Sequence, residues 1–266
     1  MARFIEILRM MIDVTGAICA LLVLTIPLWF GLAAFGTKWE FWGWQTGLDA
    51  MSHVWGFRLL IAGVVAGVLA VSFMIVHRVL AKRGHGNWSS PVAVILVAAA
   101  GMGWTIHVDQ LRASTPAVLD ITTDFSDPPN FSTAFLTRRS NLDSSLVYAG
   151  KTADDGQALS ALQTQYFPGI EPLHLREPAD LAFDRALEIA RDRGWRVGTA
   201  SRQAGMFEAG AESFWFGFRD DMVVRIRPDE AGGSVVDVRS LARQPAHDMG
   251  RNAQRVQVFL EALAAE

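Results

Sequence analysis

The sequence predicts an α+β domain, an antiparallel sheet with flanking helices, behind an all-α membrane region of three helices. Three observations carry this. About half of the 266 residues are hydrophobic, and mean hydropathy is +0.23, so membrane segments are sought first. The long apolar runs all fall before residue 108. After it, one amphipathic helix, a series of short alternating segments and a last amphipathic helix follow in that order, as in a sheet covered by helices. The domain boundaries expected are 1–108 for the membrane region and 109–266 for an external domain.

The first apolar run, residues 14–35, has no charge over its whole length. It exceeds the ~7–15 residues of a signal-peptide core, so it reads as an uncleaved anchor, kinked at Pro27. "GAIC", ending at Cys19, resembles a lipoprotein cleavage box, but Ile18 is too large for it and the apolar run continues past it. The second and third spans are expected at 57–78 and 90–107. Gly63 and Gly67 form a GxxxG in the second span, which permits close helix packing and leaves the partner open. The loop between the first two spans carries Trp39, Trp42, Trp44 and Trp55, read as an aromatic belt at the interface, with a lipid- or quinone-contacting surface as the alternative.

Lysine and arginine set the orientation. Arg3 and Arg9 precede the first span, and Arg78, Lys82 and Arg83 lie between the second and third. These segments are expected in the cytoplasm of a bacterium, with the chain in the inner membrane and its C-terminal domain in the periplasm or outside the cell. The bilayer is the first expected partner. Residues 109–266 carry seventeen Lys/Arg against twenty-three Asp/Glu, so nucleic acid is not expected.

In the external domain, "DDGQALSALQTQYF" (154–167) reads as a helix with Leu159 and Leu162 inward. "PGIEPLHLREP" reads as an extended connector. "PADLAFDRALEIARDRG" is a helix opened by Pro178 and closed at Gly194, with Leu181, Phe183, Ala186, Leu187 and Ala190 facing the core. "WRVGTAS", "SFWFGFR", "MVVRIRP" and "SVVDVRS" read as strands, the middle two joined by a hairpin at Asp220-Asp221. Val224, Ile226, Val236 and Val238 alternate with Arg225, Arg227, Asp237 and Arg239, giving one buried and one polar face. The last helix is expected over about 249–264 with Asp248 as its N-cap. No glycine fingerprint for a nucleotide is present.

The single cysteine excludes an intrachain disulfide and a cysteine-based zinc site. No GxSxG elbow occurs, and only His107, His174 and His247 follow the spans. Two groups remain. "DITTDFSDPPNF" (120–131) concentrates Asp120, Asp124 and Asp127, but lacks the spacing of a calcium loop. "RSLARQPAHDMGRNAQR" gathers Arg239, Arg243, His247, Arg251 and Arg255, a set suited to a phosphate or carboxylate. Asn252 falls in the apolar stripe of the last helix, about 40° from Val256, where it orients a ligand or satisfies a neighbouring strand. The alternative to anion binding is an internal clasp, Asp120 or Asp124 bonding Arg239, Arg243 or Arg251. No cofactor or metal is expected.

"DITTDFSDPPNF", "YFPGIEPL", "FGFRDDMVVRI" and "VDVRSLARQPAHDMGRNAQRVQVFL", in that order, resemble domain of unknown function family 1499 over about residues 115–264. Leu119 stands where the family usually has a histidine before the first aspartate, and Ala242 replaces a serine in "RSLAR". The resemblance implies no known activity. These readings together point to a non-enzymatic envelope protein whose domain binds another envelope protein or an anionic envelope component. The rival reading is an envelope hydrolase or metal-dependent enzyme using Asp120, Asp124 and the Arg/His corner.

Overall fold

The computed structural model describes residues 1–136, 147–153, 156–244 and 247–265. The chain forms two compact units, Met1–Gln110 with Trp215–Gly217, and Leu111–Phe214 with Phe218–Glu266.

In the first unit, three helices are long and apolar enough to cross a membrane. Helix α1 covers Ala2–Lys38, with Pro27 inside it. Helix α2 covers Phe57–Ala81 and α3 covers Ser89–Ser114. The tryptophan-rich segment is more ordered than a belt loop. Residues Gln45–Gly56 form a π-helical stretch running straight into α2. Trp29 Nε1 donates to Met51 O at 2.9 Å, tying this stretch to α1. Trp39 and Trp55 remain exposed, as interfacial anchors would be. Helix α3 continues to Ser114, past the expected end of the third span at 107.

The GxxxG of α2 has a partner inside the chain. A Cβ on Gly67 would meet Ile95 Cγ1 at 2.5 Å and Pro91 O at 2.9 Å. A Cβ on Gly63 would meet Ile26 of α1 and Ala98 of α3. Without a hydrophobic drive in lipid, small residues let the backbones approach and gain dispersion contacts. Cys19, Ile26, Leu60, Ala70, Val94 and Ala98 form the buried centre.

The second unit is a six-stranded antiparallel sheet with flanking helices. Its strands are β1 (Asp120–Thr122), β2 (Leu173–Leu175), β3 (Arg196–Ser201), β4 (Met206–Glu212), β5 (Arg219–Pro228) and β6 (Ser234–Ala242). The order is β1-β6-β5-β4-β3, and β2 also pairs with β6. Strand β1 pairs with residues 239–241 and β2 with 234–236, so they lie end to end along one edge of β6. The short helices α4 (Thr133–Leu136) and α5 (Leu159–Tyr166) precede α6 (Ala179–Asp192) and α7 (Arg251–Ala264). The start of the expected helix, Asp154 and Asp155, lies outside the described residues.

Helices α6 and α7 cover one sheet face, where Phe183, Ala186, Phe207, Val224, Val236, Val256 and Phe259 make the core. Pro178 caps α6, as expected. Leu181 is 58 % exposed rather than in the core stripe, because Ala182 of the next position takes the inward side. Helix α7 begins at Arg251, two residues later than expected. Asp248 still serves its start, accepting the N–H groups of Gly250 at 3.1 Å and Asn252 at 2.9 Å.

Two strand expectations are corrected. "SFWFGF" is not a strand but the tip of the β4–β5 hairpin, and the strand before it is Met206–Glu212. Aromatic residues favour strands by propensity. Here the small residues Ala209 and Ala211 occupy the sheet, where they pack into the core beside Ala182 and Ala186. Asp220 and Asp221 are not a turn either. They lie inside β5, opposite Ala242 and Leu241 of β6, and both are buried. Arginines on either side of the sheet make that burial tolerable.

Candidate functional site

Period-two alternation divides the charged residues between the two faces of the sheet. Arg239 and Arg243 point away from the core helices. Ser240, on the opposite face, donates to Asn252 Oδ1 of α7 at 2.5 Å. The basic residues that adjoin one another in sequence therefore form two separate groups.

On the face away from the core helices, residues 120–135 fold over the polar side chains. Arg239 is fully buried and binds Asp120 through two hydrogen bonds, Nε to Oδ1 at 2.9 Å and Nη2 to Oδ2 at 2.8 Å. Fork-to-carboxylate pairing of this kind is short and directional. Lys151 Nζ donates to the same Asp120 at 2.5 Å. The guanidinium carbon lies 5.6 Å from the ring centres of both Phe131 and Tyr148, within cation–π range. Burial first, then the Asp120 charge, pushes the Tyr148 phenol up.

The rest of the loop is fastened in the same way. Arg225 donates to Asp127 at 2.8 Å and to Asp237 at 2.9 Å, and Arg227 donates to Asp237 at 2.8 Å. The backbone N–H and hydroxyl of Ser132 donate to Glu208. Asp124 accepts from the Ser126 hydroxyl and from the N–H groups of Ser126 and Asp127. Burial works to raise its pKa, but these bonds and the Arg225 charge outweigh it and hold the carboxyl below its ordinary value. Among the described residues, no three His, Cys, Asp or Glu side chains converge as metal ligands would. The clasp pair is Asp120–Arg239. Asp124 turns instead to its own loop, with Arg225 and Arg227 3.6 and 3.7 Å away.

The group beneath α7 contains Asp220, Arg251, Asn252 and Arg255. Arg255 Nη1 donates to Asn252 Oδ1 at 3.1 Å and lies 2.8 Å from Asp220 Oδ2. Arg251 is farther from Asp220, at 4.0 Å. Asn252 is fully buried; its Oδ1 joins α7 to the Ser240 side chain of β6, while among the described residues its Nδ2 finds no hydrogen-bond partner. Among the described residues His247 bonds backbone groups: Nε2 donates to Thr115 O at 2.8 Å, and Nδ1 accepts the Met249 N–H at 3.0 Å. Both ring nitrogens are thus engaged.

Burial raises the Asp220 pKa above the ordinary 3.8 despite Arg255 and Arg251, and Asp248 adds to the rise. Between the ordinary and folded values the native state binds more protons than the unfolded chain, so stability falls as pH rises through that window. In urea unfolding of the whole protein, Asp220→Asn is expected to remove this decline. A difference between wild type and variant that stays constant from pH 4 upward would contradict it.

Arg243 donates to Asp221 through Nε at 2.9 Å and Nη2 at 2.7 Å. With Arg196 and Arg219 it lines a recess of about 290 Å³, floored by Gly198, Gly210 and Ala211 and walled by Phe135. Arg196 and Arg219 both approach Glu212. Sequence reasoning misses both arginines, because they lie far from Arg243 along the chain and only strand pairing brings them to it. Lys151 carries no sequence signal at all.

These features define a class: a protein in which three helices long and apolar enough to cross a membrane precede an antiparallel domain closed over its own charged sheet face. The sequence assigns the particular family. Residues 120–263, more than half of the chain, match the family described as a protein of unknown function (DUF1499), and the chain belongs to it. A comparison with curated proteins finds no match.

Proposed function

We propose that this is a non-enzymatic protein of the bacterial inner membrane, whose periplasmic or extracellular domain binds an anionic group of an envelope component. The observation that carries the reading is the recess lined by Arg196, Arg219 and Arg243. Three guanidiniums line it, with the carboxylates of Glu212 and Asp221 beside them. The small floor leaves room for a phosphate or carboxylate, and Phe135 offers an apolar wall. Fork-shaped donors suit both anions. Against an enzyme stand the engagement of both His247 nitrogens by backbone and the commitment of Asp120 to Arg239 and Lys151. The proposed orientation rests on Arg3, Arg9, Arg78, Lys82 and Arg83.

Glycerol phosphate and galacturonate, with neutral glycerol as control, test the recess in melting experiments on the whole protein. An anion that binds the native state raises the melting temperature by mass action. The Arg196 side chain is 68 % exposed, so Arg196→Gln is expected to fold normally. Losing one charge-assisted bond, about 2 kcal/mol, weakens binding roughly thirtyfold. No shift with either anion overturns the binding reading. For orientation, a C-terminal alkaline phosphatase fusion is expected to be active in cells, and an inactive one overturns the external placement.

A further inference from the structure

In the first turns of α1 the fold withholds an arginine from its natural counter-ions. Arg9 has Glu6 three residues before it and Asp13 four residues after it, spacings at which helical ion pairs form. Neither pairs with it. Asp13 turns to the loop between α2 and α3, where it accepts from His85 Nε2 at 2.9 Å. Arg9 turns to α2, donating through Nε to His77 Nε2 at 3.2 Å. Among the described residues this hydrogen bond alone holds the Arg9 side chain, and it has no ion pair.

The group that holds it is neutral. His77 is fully buried, and its Nδ1–H donates to Arg83 O at 3.1 Å. A carbonyl requires a protonated ring nitrogen and a guanidinium an unprotonated one, so the two bonds fix one uncharged tautomer. His77 thus orients Arg9 without neutralising it, and leaves Nη1 and Nη2 for another acceptor. The loop is fastened to α1 as well. Ser90 Oγ donates to Gly16 O at 3.1 Å, and a Cβ on Gly86 would meet Ile12 Cγ2 at 2.5 Å. The same elements carry Arg3, Arg78, Lys82 and Arg83, all exposed and without an ion pair among the described residues.

We propose that Arg9, held by His77, binds the headgroup phosphate of an anionic phospholipid. The two remaining guanidinium nitrogens suit the oxygens of a phosphate. Arg9 stands five residues before the uncharged run that begins at Val14, about 8 Å along a helix. That is headgroup depth when the run fills the hydrocarbon core. Ile7, Met10 and Met11 near it on α1 are exposed, an apolar surface that suits acyl chains rather than a free phosphate ion. Clustered basic residues at a membrane end favour anionic lipids over zwitterionic ones. The inference rests on the first unit lying in a bilayer, holds for either leaflet, and does not depend on ligand binding in the recess.

Melting of the whole protein in a neutral detergent tests the site, with added phosphatidylglycerol, phosphatidylcholine or inorganic phosphate. Phosphatidylglycerol is expected to raise the melting temperature most. Arg9→Gln is expected to weaken its binding roughly thirtyfold, the loss of one charge-assisted contact. Arg3→Gln removes the same charge but not the histidine-held group, and is expected to weaken binding about fivefold at most. Equal shifts with the two lipids overturn the proposal. So does a loss in Arg3→Gln that equals or exceeds that in Arg9→Gln, which would mean general attraction only. An equal shift with inorganic phosphate overturns the lipid assignment. If Arg9→Gln does not fold, native mass spectrometry of the wild type released from mixed-lipid nanodiscs decides. Retained lipid enriched in phosphatidylglycerol supports the site, and retained lipid in the nanodisc ratio overturns it. Failure to enter nanodiscs at all would instead overturn the membrane reading on which the site rests.

Discussion

Asp120→Ala is expected to destabilise the domain by about 3–5 kcal/mol, the range for removing one partner of a buried ion pair. The carboxylate is shared by Arg239 and Lys151, so its loss takes the common counter-charge from two cations at once. Arg239→Met is expected to cost less, because Lys151 still neutralises Asp120 and the methionine side chain refills the space between Phe131 and Tyr148. A domain stable by the usual ~5–15 kcal/mol would lose much of that margin in the first variant. Urea-dependent pulse proteolysis of the whole protein in detergent measures both. Equal losses, or a larger loss for Arg239→Met, would refute the shared-carboxylate account.

Gly67→Leu is expected to destabilise the membrane region by about 1–3 kcal/mol, the usual effect of overpacking a tight interface. The obstacle is partly backbone. Pro91 O lies 2.9 Å from where a Cβ would stand, and a carbonyl in a helix has little freedom to move aside. Gly16→Leu is the matched control, since a Cβ there meets nothing within 4 Å. Unfolding in mixed micelles with rising dodecyl sulfate, followed by far-UV circular dichroism, compares them. Equal midpoints for the two variants would remove α3 as the partner of Gly67.

Local pattern reached a long way into this protein. Long uncharged runs predict α1 to α3 because a chain in lipid must satisfy its backbone within each helix. Alternation over 224–227 and 236–239 predicts paired strands with a polar face. Local signals failed where the environment reverses a residue's preference. Asp220 and Asp221 favour turns by composition, yet lie in β5 because Arg255 and Arg243 supply counter-charge from distant positions. "SFWFGF" has the composition of a strand, yet Gly217 and the Ser213–Phe218 closure make it a turn.

By itself, the sequence determined the three long apolar helices, the α+β class, the family, and a pairing of acidic loop with basic corner as one of two alternatives. Only the tertiary structure shows which acid meets which arginine. Asp120 and Arg239 are 119 residues apart, and whether they meet depends on β1 docking on the edge of β6. The same strand pairing turns Arg239 toward Asp120, sends Asn252 to the opposite face, and brings Arg196, Arg219 and Arg243 together. Periodicity specifies which face of its own strand a side chain takes. Which charges share that face, and whether water reaches them, follows only from the order of strands and from the loop that covers them.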